Sequence, residues 1–499
     1  MQRLGTVLRR ETYALPVDIF RVLVGLLTFA YFVRTFLESE SFSSPGGLID
    51  HALVGDILWF SRIGLFQPEL GLLGFQLINL GACLACLAIV FGYRTKLFAS
   101  LLYVVAVSTY RWNFLVMYVD DAIIHLLLFW MLLLPVGRTL AVKEWLRAPK
   151  ASWERWKHAV VPGTTVWCFM GNVAIIYLVA GLWKFTSPMW LDGTALYATL
   201  RMPISYAPDF WGPQHLPFLK VLNYVSLGLE PLIPLLFFLR KNHPIKWIGW
   251  ILVVGLHAGI ALTLRIPFAN LALLAAGVLL FRDEIMVWLH GRAAATALDS
   301  RPRIDLVGRI ALVFLLVLAL AMTRRIPGIR EVHKPAYAIL YLAGIAQDYQ
   351  LFNWVHKKNI HCREEIFAGG LSRGEEPLAD QALFPSGIRG ILLRSYLYGV
   401  RWIKIPRERH VELRQSLLDR AARRYCREYE PRDRMLVTVE LQRITRFNVD
   451  LEQGTRRVLA VFQCEGQGLK SLQPNLHIRP PVTPFGRRNS TPSSDPGAD

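Results

Sequence analysis

The sequence is poor in cysteine, poor in charge, and short of acid relative to base. Six cysteines in 499 residues are too few for a disulfide framework. Cys83, Cys86 and Cys168 fall within apolar runs. The Cys83-to-Cys86 spacing is C-x-x-C, but without other ligands it reads as small-residue packing in a helix. Cys362, Cys426 and Cys464 lie in the last third of the chain, where three thiols allow at most one internal pair. Charged residues make up 19% of the chain against 53% hydrophobic. That balance excludes a disordered or fibrous protein and argues against an ordinary soluble enzyme. No Walker loop, zinc-finger spacing or GxGxxG follows a strand signal, and the basic residues are scattered, so the net charge of +19 is not a nucleic-acid groove. No A-x-A site follows the first apolar run, which reads as a signal anchor.

What is present is a series of apolar runs of near-spanning length. A membrane span needs roughly 20 mostly apolar residues. Nine candidates lie at 17–37, 70–92, 95–112, 118–137, 163–185, 217–239, 246–263, 267–282 and 307–323, the third and eighth being the weakest. Basic connections (Arg3, Arg9, Arg10; Arg94, Lys96; Arg138 to Lys157; Arg240, Lys241, Lys246; Arg282 to Arg303) alternate with acidic or sparse ones (Glu38, Glu40, Asp50, Asp56, Glu69). This is the positive-inside pattern with a cytoplasmic amino terminus, and an odd count of nine puts everything after Met322 outside.

The expected fold is an all-α polytopic membrane bundle of about nine transmembrane helices over residues 1–325, followed by a small α+β soluble domain at 326–480 and a disordered tail at 481–499. In the carboxy-terminal part Pro406–Tyr429 reads as an amphipathic helix, and Met435–Leu441 and Val458–Phe462 read as strands. From Arg324 onward there are 29 basic and 19 acidic residues, a net +10, which suits anionic headgroups or an acidic partner.

Ionisable residues inside spans are costly and call for an explanation. Lys184 leads. Tyr177, Gly181 and Lys184 recur at i, i+4, i+7 and share a helix face. The bland reading is a lysine snorkelling to the headgroups beside Trp183 and Trp190; the functional one is a desolvated lysine able to act as a base. Asp121 and His125, at i and i+4, can touch. Asn223, His257 and Arg265 lie at a similar depth, so an outward-opening cavity could collect Asp121, His125, Lys184, Asn223, His257 and Arg265. Taken singly, each is explained by an interhelical hydrogen bond or an interfacial charge. Glu230, before Pro231 and Pro234, must be paired or protonated. Asp18 and Arg21, at i and i+3, form a local ion pair. No third ligand joins Asp121 and His125, so no metal site is expected.

The run Tyr177-Leu-Val-Ala-Gly181-Leu-Trp-Lys184-Phe, followed by Trp190-Leu-Asp-Gly193, resembles the signature of the HTTM family, membrane proteins related to vitamin K-dependent γ-glutamyl carboxylase. Phe20-Arg21-Val-Leu-Val-Gly25, Glu230-Pro231, Leu256-His257, Pro267-Phe268, Gln347–Trp354 and Arg401-Trp402 add to the resemblance, which spans roughly residues 10–410. Where the carboxylase carries Trp-Asn-Asn-His, this chain reads Trp112-Asn113-Phe114-Leu115. The resemblance maps Lys184 onto the family's catalytic lysine; by depth, His125, Asp121 and His257 stand beside it as further catalytic candidates. By helix face and depth, Tyr177, Gly181, Trp190, Asn223 and Glu230 are expected around a substrate or quinone pocket. The resemblance also implies reduced vitamin K or another quinone with O2 and CO2; membrane lipid is expected from the apolar runs, and an acidic protein substrate from the net +10 of the carboxy-terminal part. A bacterial inner membrane suits the chain. The rival expectation is a non-catalytic membrane protein of the same fold that binds a lipid or a protein partner.

Overall fold

The computed structural model describes residues 11–239, 242–290, 304–322, 330–346, 358–368, 383–398, 406–428, 433–444, 451–453, 457–465 and 468–472. The stretches 481–499, Gln347–Trp354 and Arg401-Trp402 lie outside the described residues.

Each expected span coincides with a helix: α1 (Ala14–Leu37), α2 (Gly71–Val90), α3 (Thr95–Trp112), α4 (Val119–Leu133), α5 (Thr164–Lys184), α6 (Leu216–Leu229), α7 (Pro244–Thr263), α8 (Pro267–Leu280) and α9 (Leu306–Met322). Among the described residues, five helical stretches are long and apolar enough to cross a membrane: Ala14–Leu37, Pro68–Val90, Thr164–Lys184, Pro213–Phe237 and Pro244–Thr263. The helices at the other four positions are shorter or more polar. Burial differs widely among these helices. Ten of the 15 residues of α4 are buried, so it is an inner helix surrounded by protein. Only four of the 20 residues of α7 are buried, so its apolar side chains face outward, as a lipid-facing helix requires. At 1.5 Å per residue α4 is about 22 Å long, less than the roughly 30 Å of a hydrocarbon core.

Contacts at the helix ends show that α1 to α5 alternate in direction. On one side β1 (Glu11–Tyr13) pairs antiparallel with β2 (Val160–Pro162), tying the start of α1 to the start of α5. There Asp18 and Arg21 form their ion pair at 2.9 Å, both fully buried. The pair does more than neutralise itself. Asp18 accepts hydrogen bonds from the backbone N–H groups of Gly137, Arg138 and Thr139. Arg21 donates to the carbonyls of Ile89, Val90 and Leu140. One buried pair thus staples the ends of α2 and α4 to the start of α1. On the same side Lys96 donates to the Met131 and Leu132 carbonyls.

On the opposite side, the connection after α1 meets the end of α3, where the Trp112 indole N–H donates to the Ser43 carbonyl. The carboxy-terminal elements gather here. After α10 (Arg330–Leu342) come β3 (Lys358–Ala368), α11 (Ile388–Tyr398), α12 (Arg407–Glu428), β4 (Asp433–Ile444), β5 (Leu451–Gln453), β6 (Arg457–Glu465) and β7 (Gly468–Leu472). The sheet is antiparallel in the order β3-β4-β6-β7, with β5 beside β4. The expected amphipathic helix is α12. Leu413, Leu417, Leu418, Ala421 and Ala422 are buried in one cluster with Ile366 and Phe462 of the sheet and Phe42, Leu48, Ile49 and Val54 of the first connection. The core of the carboxy-terminal part is therefore shared with the loop after α1. Cys426 and Cys464 form a disulfide joining α12 to β6.

Candidate functional site around Lys184

The site forms where α5 meets the end of α6. Pro231 and Pro234 cannot donate to a helical ladder, and the α-helix gives way to a 3-10 segment, Glu230–Phe238. That break brings backbone against α5. A Cβ on Gly181 would lie 2.7 Å from both the ring and the nitrogen of Pro231, so only glycine permits the approach.

The close contact delivers Glu230 to Lys184. Their side chains form an ion pair, each only 8% exposed. Ser226, one turn before Glu230, donates to its second oxygen at 2.8 Å. The Lys184 ammonium lies 4.6 Å from the Trp190 ring centroid, a cation–π contact. Trp190 is held by Asn223, whose amide N–H donates to the Trp190 carbonyl at 2.9 Å. Asn223, Ser226 and Glu230 recur at i, i+3, i+7 and line one face of the α6 segment.

One helical turn below Gly181 a second polar group crosses the bundle. The Tyr177 hydroxyl is 2.6 Å from His257 Nε2, and His257 Nδ1 is 2.7 Å from Asn270 Oδ1 on α8. Both Tyr177 and His257 lie within electrostatic reach of Glu230.

The structure thus brings together seven of the residues singled out in the sequence: Lys184, Glu230, Gly181, Trp190, Asn223, Tyr177 and His257. It does not bring Asp121, His125 or Arg265 to them. Asp121 binds the Tyr31 hydroxyl at 2.7 Å and the Tyr118 N–H at 2.9 Å, and lies 3.6 Å from the Arg389 guanidinium of α11. His125 does not turn to Asp121; its Nδ1 faces the Gly344 carbonyl at 3.0 Å, with its ring edge-on to Tyr110. Arg265 stacks over Tyr206. The expected single cavity is therefore split, with Asp121, His125 and Arg265 each turned to partners of their own. Equal depth in the sequence located these groups along the membrane normal, but helix azimuth separated them.

Ser226, Asn270, Tyr31 and Arg389 were not singled out. Ser226 was legible as the i−4 neighbour of Glu230. Asn270 was legible as a lone amide in an apolar helix. Arg389, 1% exposed and paired with Glu38 at 2.9 Å, carries no local signal, since its partners lie more than 250 positions away. Among the described residues no three His, Cys, Asp or Glu side chains form a metal set. Comparison with protein-family models, curated proteins and solved structures returns no match to this chain.

Proposed function

We propose that this chain is a multi-pass membrane enzyme similar to vitamin K-dependent carboxylase, with the buried Lys184–Glu230 pair as its proton-transfer centre. The observation that carries the reading is that pair. A lysine and a glutamate sharing one labile proton are neutral as a unit, so the pair tolerates removal from water where a lone charge would not. When the proton rests on the carboxyl, the amine is free to take another from a weakly acidic O–H group. Trp190 adds a ring on which a planar ligand can stack. An O–H proton acceptor beside an aromatic ring fits a hydroquinone. Bound there with O2 and CO2, reduced vitamin K or another quinone supplies the chemistry that removes a glutamate γ-proton and adds a carboxyl group. An acidic protein substrate would approach from the side of α11 and α12, and membrane lipid would cover the outward faces of α2, α6 and α7.

In this reading the chain crosses the membrane nine times, with a cytoplasmic amino terminus and an extracytoplasmic carboxy-terminal part. The Cys426–Cys464 disulfide supports that orientation, because disulfides persist in oxidising compartments such as the space outside a bacterial inner membrane. A second reading draws on one observation: Lys184, Glu230, Tyr177 and His257 all have partners, as in a structural lock. That pattern suits a non-catalytic membrane protein binding a lipid or a protein partner. Quinone epoxidation by Lys184→Ala separates the two. The enzyme reading expects at least a hundredfold loss of turnover. Unchanged turnover, or none in the wild type with several reduced quinones, supports the second reading instead.

A further inference from the structure

The Tyr177–His257–Asn270 group carries an inference beyond the ion pair, and it rests on the reading above. Its protons can be assigned from the hydrogen bonds. The Asn270 amide N–H donates to the Ile266 carbonyl at 2.7 Å, which fixes the orientation of the amide and turns Oδ1 toward His257. An amide oxygen only accepts. The His257 nitrogen 2.7 Å from it, Nδ1, must therefore carry hydrogen. In the neutral ring Nε2 is then bare, and its partner at 2.6 Å is the Tyr177 hydroxyl, which donates to it. The three side chains come from α5, α7 and α8, so this is not a local hydrogen bond on one helix. Tyr177 is 5% exposed, His257 5% and Asn270 4%.

We propose that Tyr177 is a second proton acceptor of the Lys184 site, made basic by His257, and that Asn270 is a positioning residue that holds the imidazole in the required tautomer. The transfer balances without a redox partner. A substrate O–H bond breaks as its proton passes to the Tyr177 oxygen, and the Tyr177 proton moves to His257 Nε2. His257 becomes an imidazolium still hydrogen-bonded through Nδ1–H to Asn270, and the substrate keeps the electron pair. A hydroquinone has two such hydroxyls. Lys184 and Tyr177 lie on one face of α5, seven residues apart, or about 10 Å along the axis. The arrangement offers one acceptor to each end of a substrate with two acidic hydroxyls, such as a hydroquinone.

The test uses the full chain in lipid nanodiscs. Histidine nitrogen NMR, with His257 assigned as the resonance lost in His257→Gln, should show a neutral ring protonated on Nδ1; Asn270→Leu should mix the tautomers. With reduced vitamin K and O2, Tyr177→Phe should lower kcat at least tenfold with KM within twofold. Asn270→Asp, whose carboxylate stabilises the imidazolium, should shift the pH profile alkaline, which a merely structural hydrogen bond would not do. An Nε2-protonated or doubly protonated His257 in the wild type overturns the inference. So does turnover that Tyr177→Phe and Asn270→Asp both leave unmoved while Lys184→Ala abolishes it, and that outcome spares the Lys184 reading. No turnover in the wild type removes both.

Discussion

At the scale of the residue, the paired groups dominate. Removing one member of a buried ion pair strands the other, at a cost of about 3–5 kcal/mol, whereas an apolar pair of similar volume is close to neutral. Lys184→Ala should therefore lower the thermal midpoint markedly, while the double replacement Lys184→Met with Glu230→Leu restores it without restoring turnover. Thermal unfolding of the three proteins in detergent checks this. His51 offers a separate handle outside the spans. Burial pushes its imidazole down to about 4, although the Phe42 and Trp112 carbonyls facing its two nitrogens act the other way. The unfolded ring takes a proton near pH 6.5 and the folded ring resists it, so the unfolded state binds more protons between those values. This contribution, of the order of 3 kcal/mol, is complete above about pH 6.5 and is lost as pH falls toward 4. The neighbouring Asp50 weakens at still lower pH. Against the upward push of burial, the Leu53 N–H and then Arg420 hold it below its ordinary value. Midpoints measured from pH 7.5 to 4.5 should fall in the wild type and flatten in His51→Gln. Lys184 and Glu230 were each legible in the sequence as groups needing a partner. That they are each other's partner was not, because 46 positions separate them.

Among the elements, the proline-broken end of α6 and the glycine face of α5 act as one device. Pro231 and Pro234 interrupt the helix, and Gly181 accepts the interruption. Gly181→Ala places a methyl 2.7 Å from the Pro231 ring and nitrogen, and backbone cannot step aside as a flexible side chain can. Overpacking of this kind costs about 1–3 kcal/mol, and the displacement also pulls Glu230 from Lys184. A lowered midpoint and lost turnover together are the expected outcome, read by unfolding and the quinone assay. The periodicity of α12 was legible because its burial pattern is local. The inner positions of α4 and α8 were not. An apolar run reads the same whether lipid or protein covers it, and the two short helices are inner because the longer ones surround them.

For the whole molecule, the question is where the positive charge of the carboxy-terminal part lies. Part of it meets the acidic connection after α1. Arg420 lies 3.4 Å from Asp50 and Arg424 3.8 Å from Glu40, Arg389 pairs with Glu38, and Ser416 donates to Asp50 at 3.0 Å. Exposed pairs contribute less than about 1 kcal/mol each; the shared apolar core of α12 and the loop contributes more. The two segments must therefore lie on one side of the bundle. Cysteines introduced at an exposed site of the first loop, such as Glu69, and of α12, such as Val411, should be labelled from the same face of sealed vesicles. The nine-span orientation expects that face to be extracytoplasmic, and labelling only from the cytoplasm would reverse it.

By itself the sequence determined the membrane class, the positions of the helices, the amphipathic α12 and the short list of costly polar groups, because each depends on composition within a window of about 20 residues. Only the tertiary structure decided which of those groups meet. Lys184 joined Glu230, Tyr177 joined His257, and Asp121 and His125 went elsewhere. Depth along a helix follows from counting residues, but the face a side chain presents to its neighbours depends on how the helices rotate and pack.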